Sequence, residues 1–249
     1  MSFCLGIKVA DGLVAIADTR ITTGSERITA RKLNVLREGN GEFFVMTSGL
    51  RSVRDKVLTY YSELQESQSE PADRLFNVVN RIADLVRRVA AEDKPYLEES
   101  GITFNSHTII GGKLANDSVH KLFLIYPQGN WIEIGEGSPY QIIGTAHYGK
   151  PVIDRVLTYH DSLKTALKVG VLSFDSTRIS AADVGFPIDV ALFRRDTSQI
   201  VQHRYDADDL GEITSWWQDQ LRDLVGALPD HWLDAAFSRI EGKTTTSPS

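Results

Sequence analysis

Residues 2–18 read S-F-C-L-G-I-K-V-A-D-G-L-V-A-I-A-D. Two β-rich runs, 3–9 and 13–17, flank Ala10-Asp11-Gly12, and Asp-Gly between hydrophobic runs is the strongest short-range signal of a β-hairpin. The hairpin begins at residue 3, which leaves Ser2 at a strand end with the N-terminus inside the fold. Asp18 closes the second strand, and antiparallel pairing returns its carboxylate toward the end that carries Ser2.

Working outward, Lys32-Leu33-Asn34-Val35-Leu36 and the run 43–46 form two more strands about the turn Gly39-Asn40-Gly41. After Thr47-Ser48-Gly49 the apolar spacing changes from two to 3.6, through Leu50, Val53, Val57, Tyr60, Tyr61 and Leu64. Pro71 opens a second helix, whose apolar stripe runs from Leu75 to Val89. Strands return at 108–110, 122–126 and 131–134, followed by helices over 151–159 and 163–174. A hairpin joins 190–193 to 200–205, and helical spacing resumes over 213–225. This order predicts an α+β fold in which two sheets stack and helices lie outside. No repeat or linker interrupts it, so a single domain is expected over residues 1–242. Residues 243–249 are small and polar and read as a disordered tail.

Composition sets the boundaries of function. The 249 residues carry 27 Lys and Arg against 33 Asp and Glu, a net charge of −6, with 42% hydrophobic residues. Scattered basic residues in an acidic chain argue against nucleic acid or anionic lipid as a partner. No apolar run approaches the length of a membrane span, and no cleavable leader is visible. One cysteine, Cys4, excludes an internal disulfide and a multi-cysteine zinc site, and a reducing, cytoplasmic setting is expected. The six histidines have no ligand spacing, so no metal is expected. There is no G-x-S-x-G elbow. Gly144 to Lys150 fits seven positions of a phosphate-binding loop, but Pro151 stands where a Mg²⁺-ligating Ser or Thr belongs, and the segment reads as a loop opening a helix. Trp216-Trp217 fits core packing of an amphipathic helix, with a subunit contact as the alternative.

The chemistry concentrates at the N-terminus. Removal of Met1 exposes an α-amine beside the Ser2 hydroxyl. A free α-amine, with a pKa of about 7.7–8.0, takes a proton near neutrality and so activates a hydroxyl without a histidine. Lys32 can lower the amine's pKa and orient the nucleophile, and Asp18 can hold Lys32. Gly49, between a strand and a helix, offers a backbone N–H to a developing oxyanion. Each residue also has a plainer reading: Ser2 an exposed second residue, Asp18 a partner of Arg20, Lys32 part of a solvated basic pair, Gly49 a helix breaker.

The stretch 2–24, with R-K-L-N-V at 31–35 and M-T-S-G at 46–49, resembles the opening of a proteasome β-type subunit. The resemblance continues through G-E-G-S-P-Y at 135–140 and S-F-D-S-T at 173–177. With Y-G-K-P-V-I-D-R at 148–155, the chain is most similar to the bacterial Anbu family, the ancestral β-subunits. The resemblance implies the four-layer αββα sandwich of N-terminal nucleophile hydrolases and a threonine-type peptidase, here with serine. Position by position it implies Ser2 as nucleophile, Asp18 and Lys32 as its acid and lysine, and Gly49 as oxyanion donor, with Asp175 and Ser138 in support. The chain departs from the family where Ser2 replaces Thr and where Glu136 stands in the G-S-G-S motif. Ile21, Thr47 and Arg51 are expected near a substrate side chain. No cofactor is implied. The expected partners are many copies of the same chain in a ring-like or open helical particle, a peptide or unfolded protein as substrate, and an unfoldase by analogy. An inactive scaffold subunit, or a hydrolase of a non-peptide amide, fits the same residues.

Overall fold

The structure is a computed structural model that describes residues 2–23, 26–67, 70–197 and 199–240, without the side chains of 21–23, 26–28 and 239. The sequence-expected tail, 243–249, lies outside the described residues. The opening hairpin is present as β1 (Phe3–Val9) and β2 (Gly12–Asp18), every residue of which is buried. That burial follows from what covers each face. Phe3 packs on Phe174 with ring centroids 5.9 Å apart. Cys4, Leu13, Ala15 and Ala17 join a second cluster with Leu33, Phe44, Met46 and Ile109. The period-two alternation therefore sends odd β1 positions toward a helix and even ones toward another sheet. Gly6 lies at that sheet-to-sheet approach, where a Cβ would come within 3.1 Å of Ile109 and Leu122.

After a short hairpin of β3 (Arg20–Thr23) and β4 (Glu26–Thr29) come β5 (Leu33–Glu38) and β6 (Gly41–Gly49), then α1 (Arg51–Ser67) and α2 (Leu75–Glu99). Strands β7 (Ser106–Lys113), β8 (Lys121–Ile125), β9 (Trp131–Glu133) and β10 (Tyr140–Gly144) lead to α3 (Lys150–Val156) and α4 (Leu163–Ser180). The chain continues through β11 (Ile188–Arg194), β12 (Ile200–Tyr205), α5 (Ala207–Gly226) and α6 (Asp234–Ile240). One five-stranded sheet has the order β10-β1-β2-β11-β12 and the other β5-β6-β7-β8-β9. Helices α1 and α2 cover the second sheet through Val53, Val57, Val78, Ile82 and Val86, which pack with Phe43, Val45 and Ile110. Helix α4 packs on β1 and β2. The layers run helix, sheet, sheet, helix, and the fold is the α+β sandwich expected.

Several boundaries differ from the sequence reading. β3 with β4 replaces a polar loop, and β10 was not anticipated, since Tyr140-Gln141 dilutes its apolar signal. α2 starts at Leu75 rather than Pro71, because the Asp117 carboxylate, distant in sequence, accepts the Leu75 N–H at 2.8 Å and supplies the cap. The same helix runs on through Pro95. α4 continues to Ser180, six residues beyond the predicted end.

The chain divides into two compact units, one through Asp209 and one from Leu210 onward. In the second, Trp216 and Leu224 of α5, Trp232 in the turn after it and Phe237 of α6 are more than half exposed. Trp216 is thus not a core residue of the chain, contrary to the sequence expectation. Its ring stacks on Trp217 at 6.5 Å.

Candidate active site

Asp18 is fully buried at the end of β2, and Lys32, just before β5, is only 4% exposed. The lysine Nζ donates to Asp18 Oδ1 at 2.7 Å and to the Arg20 carbonyl at 2.7 Å. Asp18 Oδ1 also accepts the Phe3 N–H at 2.8 Å, so the pair is tied to the residue that follows Ser2. Burial pushes the Asp18 carboxyl up from its ordinary value; the Lys32 charge and these hydrogen bonds oppose the shift. An ammonium has three donors. Two are committed here, which leaves one for a further acceptor.

Ser2 is held from the other side. Its carbonyl accepts the Thr145 N–H at 2.7 Å, directly after β10, and β1 pairs with β10 in the register Phe3↔Gly144. Gly144 has φ +88°, and a Cβ on it would lie 2.0 Å from the Ser2 carbonyl oxygen. Only glycine fits there. The backbone edge of Ser2 that bears its nitrogen therefore faces Thr145, a buried residue. Thr145 is the site neighbour the sequence reading missed; the signal available was Ile142-Ile143-Gly144, a short strand ending in glycine.

Gly49 ends β6. Thr47 N–H donates across to Lys32 O at 3.2 Å, whereas Leu50 N–H donates to Asn105 O at 2.8 Å on the opposite edge. Alternation turns the Gly49 N–H to the Thr47 side, past Leu33, where β5 begins. Its φ of +123° and the 2.2 Å that would separate a Cβ from Asn105 O explain the glycine. Cys4 lies nearby, its Sγ 3.7 Å from Thr47 O; burial pushes its thiol up to about 12, and it stays protonated.

The remaining candidates are placed differently. Ser138 precedes Pro139, whose carbonyl accepts the Lys8 N–H at 2.8 Å. That is the Val9 end of β1, a strand length of roughly 20 Å from Ser2. The structure does not bring Ser138 to the site, because antiparallel β10 carries the chain from Tyr140 opposite Ile7 to Gly144 opposite Phe3. Asp175 is buried within α4 and accepts from Arg178 at 2.8 Å; the helix also carries Phe174, which packs on Phe3. Thr47 points beneath its sheet toward α1, lining with Arg54, Val57 and Ser106 a cavity of about 10 Å³, too small for a substrate side chain. Arg51 is exposed at the start of α1 and donates to Asp55 at 3.3 Å. Ile21 lies in β3 with its side chain outside those described.

In the phosphate-loop-like segment, Lys150 is committed to Asp154 at 2.8 Å and to the Tyr140 hydroxyl at 2.7 Å. Among the described residues, no group of three or more His, Cys, Asp or Glu is placed to hold a metal ion. Nor is any helix among them long and apolar enough to cross a membrane.

No protein-family model matches the chain, and no curated protein matches it. Solved structures do. A Gly-1 mutant of Anbu from Hyphomicrobium sp. strain MC1 is 30% identical, with a TM-score of 0.83 over 92% of this chain and 98% of its own. Anbu (ancestral beta-subunit) from Yersinia bercovieri is 28% identical with a TM-score of 0.83, over 91% and 97%. Anbu from Pseudomonas aeruginosa, described as a helical assembly, is 29% identical with a TM-score of 0.84, over 91% and 97%.

Proposed function

Because this chain belongs to the Anbu family of ancestral β-subunits, we propose that it is an N-terminal serine hydrolase that cleaves peptide bonds within a particle of many identical subunits. The observation that carries this reading is the buried Lys32–Asp18 pair, bonded to Phe3 beside the candidate nucleophile. A buried ion pair is expensive to desolvate, and its place at this strand end fits a catalytic use.

Once Met1 is removed, the Ser2 Oγ attacks the peptide carbonyl carbon and its proton passes to the Ser2 α-amine. The remaining Lys32 donor orients Oγ, and the Gly49 N–H stabilises the oxyanion. Collapse expels the leaving amine, which takes the proton, and leaves an acyl ester on Ser2. Water, deprotonated by the same amine, hydrolyses the ester. The assembly supports this reading through the helical arrangement of the Pseudomonas aeruginosa relative. The exposed Trp216, Leu224 and Trp232 add apolar surface suited to subunit contacts. A particle confines such sites, and a reducing cytoplasm suits a chain with one cysteine.

Intact mass tests the precondition, since retained Met1 blocks the amine. Labelling by an electrophile that needs both the hydroxyl and the free amine tests the chemistry. A demethionylated protein that labels at Ser2 supports the reading; one that stays unlabelled overturns it. Serine in place of threonine at position 2 motivates one second reading, a scaffold subunit of the same fold, which would assemble and fail to label. A non-peptide amide substrate would label and leave peptides uncut.

A further inference from the structure

Residues Phe44 and Met46 of β6 face the space between the sheets, and period-two alternation places Ser48 on that same face, one residue before Gly49. There it meets the nucleophile strand. The hydroxyl of Ser48 lies 3.1 Å from the position a Cβ would take on Gly144, and the Ser2 carbonyl oxygen lies 2.0 Å from that same position. Ser48 Oγ and the Ser2 backbone thus converge on Gly144, the last residue of β10, which pairs with Phe3. Among the described residues the Ser48 hydroxyl makes no hydrogen bond, and the residue is half-buried.

Resting on the N-terminal hydrolase reading, we infer that Ser48 is a positioning residue whose hydroxyl oxygen accepts a hydrogen bond, directly or through one water, from the Ser2 α-ammonium of the processed chain. Two consequences follow from its place on β6. The bond fixes the rotation of the amine about the Ser2 Cα, so that its lone pair after deprotonation faces Ser2 Oγ. It also links the strand carrying the oxyanion donor to the strand carrying the nucleophile, so both move together. Hydrogen bonding to the charged form raises the amine's pKa, and Ser48 sets the pH at which the base becomes competent. The other charged or titratable groups around this end are Asp18 of β2, Lys32 before β5, Cys4 of β1, Arg54 of α1, His107 of β7 opposite Ser48, His147 after β10, and the Asp175–Arg178 pair of α4. Burial pushes His107 down from its ordinary value, so it is neutral in the range where an α-amine titrates.

The test is the pH dependence of Ser2 labelling in demethionylated protein, for wild type, Ser48→Ala and Ser48→Thr, with folding checked by thermal melting. Loss of the acceptor in Ser48→Ala should move the acid limb about one pH unit lower, and Ser48→Thr should restore it. His107→Gln should leave that difference intact. If the limb is unmoved in Ser48→Ala while labelling persists, the inference is overturned and the hydrolase reading stands; a slower rate at every pH would mark packing alone and overturn it equally. If Ser48→Ala does not fold, Ser48→Gly provides the same comparison. Absence of labelling in demethionylated wild type overturns both.

Discussion

Lys32 Nζ and Asp18 Oδ1 meet at 2.7 Å with their side chains 4% and 0% exposed, so the charge centre of the candidate site is held almost entirely out of water. Such a pair has a signature that a surface ion pair lacks. Removing one partner leaves an uncompensated buried charge, at a cost of about 3–5 kcal/mol, whereas replacing both together is far less harmful. Lys32→Ala should therefore lose labelling and also fall sharply in urea midpoint. The double change Asp18→Asn with Lys32→Met should recover much of the stability without the activity. Equal midpoints for the single and double variants would show that the pair is not electrostatically coupled.

Gly144→Ala and Gly137→Ala test the convergence at the Ser2 end. The first places a Cβ against the Ser2 carbonyl at a positive φ, and a loss of about 2–4 kcal/mol is expected, with labelling abolished. Gly137 has nothing within 4 Å of an added Cβ, so its change should stay within about 0.5 kcal/mol. Chemical denaturation of both variants checks this.

Thr145, whose backbone N–H bonds the Ser2 carbonyl, and Ser138, a strand length away, are the two hydroxyl residues whose places the β1–β10 register decides. Thr145→Val should slow labelling at Ser2 at least tenfold. Ser138→Ala, exposed at the far end of β1, should leave the rate unchanged. The opposite ranking in a labelling time course would refute the register argument.

Ser2→Thr should raise turnover several-fold. A β-branched nucleophile has fewer χ1 states, and its hydroxyl spends more time aimed at the amine and the carbonyl. Burst kinetics with a fluorogenic peptide would measure this, and a slower Thr variant would show that the site is shaped for serine.

His120 gives stability a pH dependence remote from the site. It is buried, its Nε2 bonded to Val9 O at 2.8 Å, and desolvation pushes its pKa down. The unfolded chain, with histidine near about 6.5, takes up a proton first as pH falls. Stability is then lost below that value, by at most about 1.4 kcal/mol per pH unit, until the folded imidazole also protonates. His120→Gln keeps a donor for Val9 O and should flatten the slope between pH 7 and 5 in urea titrations.

The local pattern of residues 2–18 was sufficient for the hairpin and for the placement of Asp18 at the Ser2 end, and that of residues 43–64 for the change of period at Gly49 that opens the helical layer. These are properties of neighbours in sequence: turn chemistry, alternation and a glycine at a strand-to-helix junction. The order of elements predicted stacked sheets with helices outside, and opposite charge the hold of Asp18 on Lys32; resemblance added the family and its nucleophile. What sits beside Ser2 across the sheet was decided only in three dimensions. Strand β10 is short and weakly patterned, and a register cannot be read from one strand alone. Its register exchanged Ser138 for Thr145 as the neighbour of the nucleophile. The same is true of Thr47, whose one-residue parity on β6 sends it beneath the sheet to the helices while Ser48 faces Gly144. It holds as well for the start of α2, where Asp117 supplies from a distance the cap that Pro71 seemed to announce. Side-chain period along a strand is local information. Which strand lies next, at what offset, and what covers each face depend on burying both sheets at once, and only the packed chain settles them.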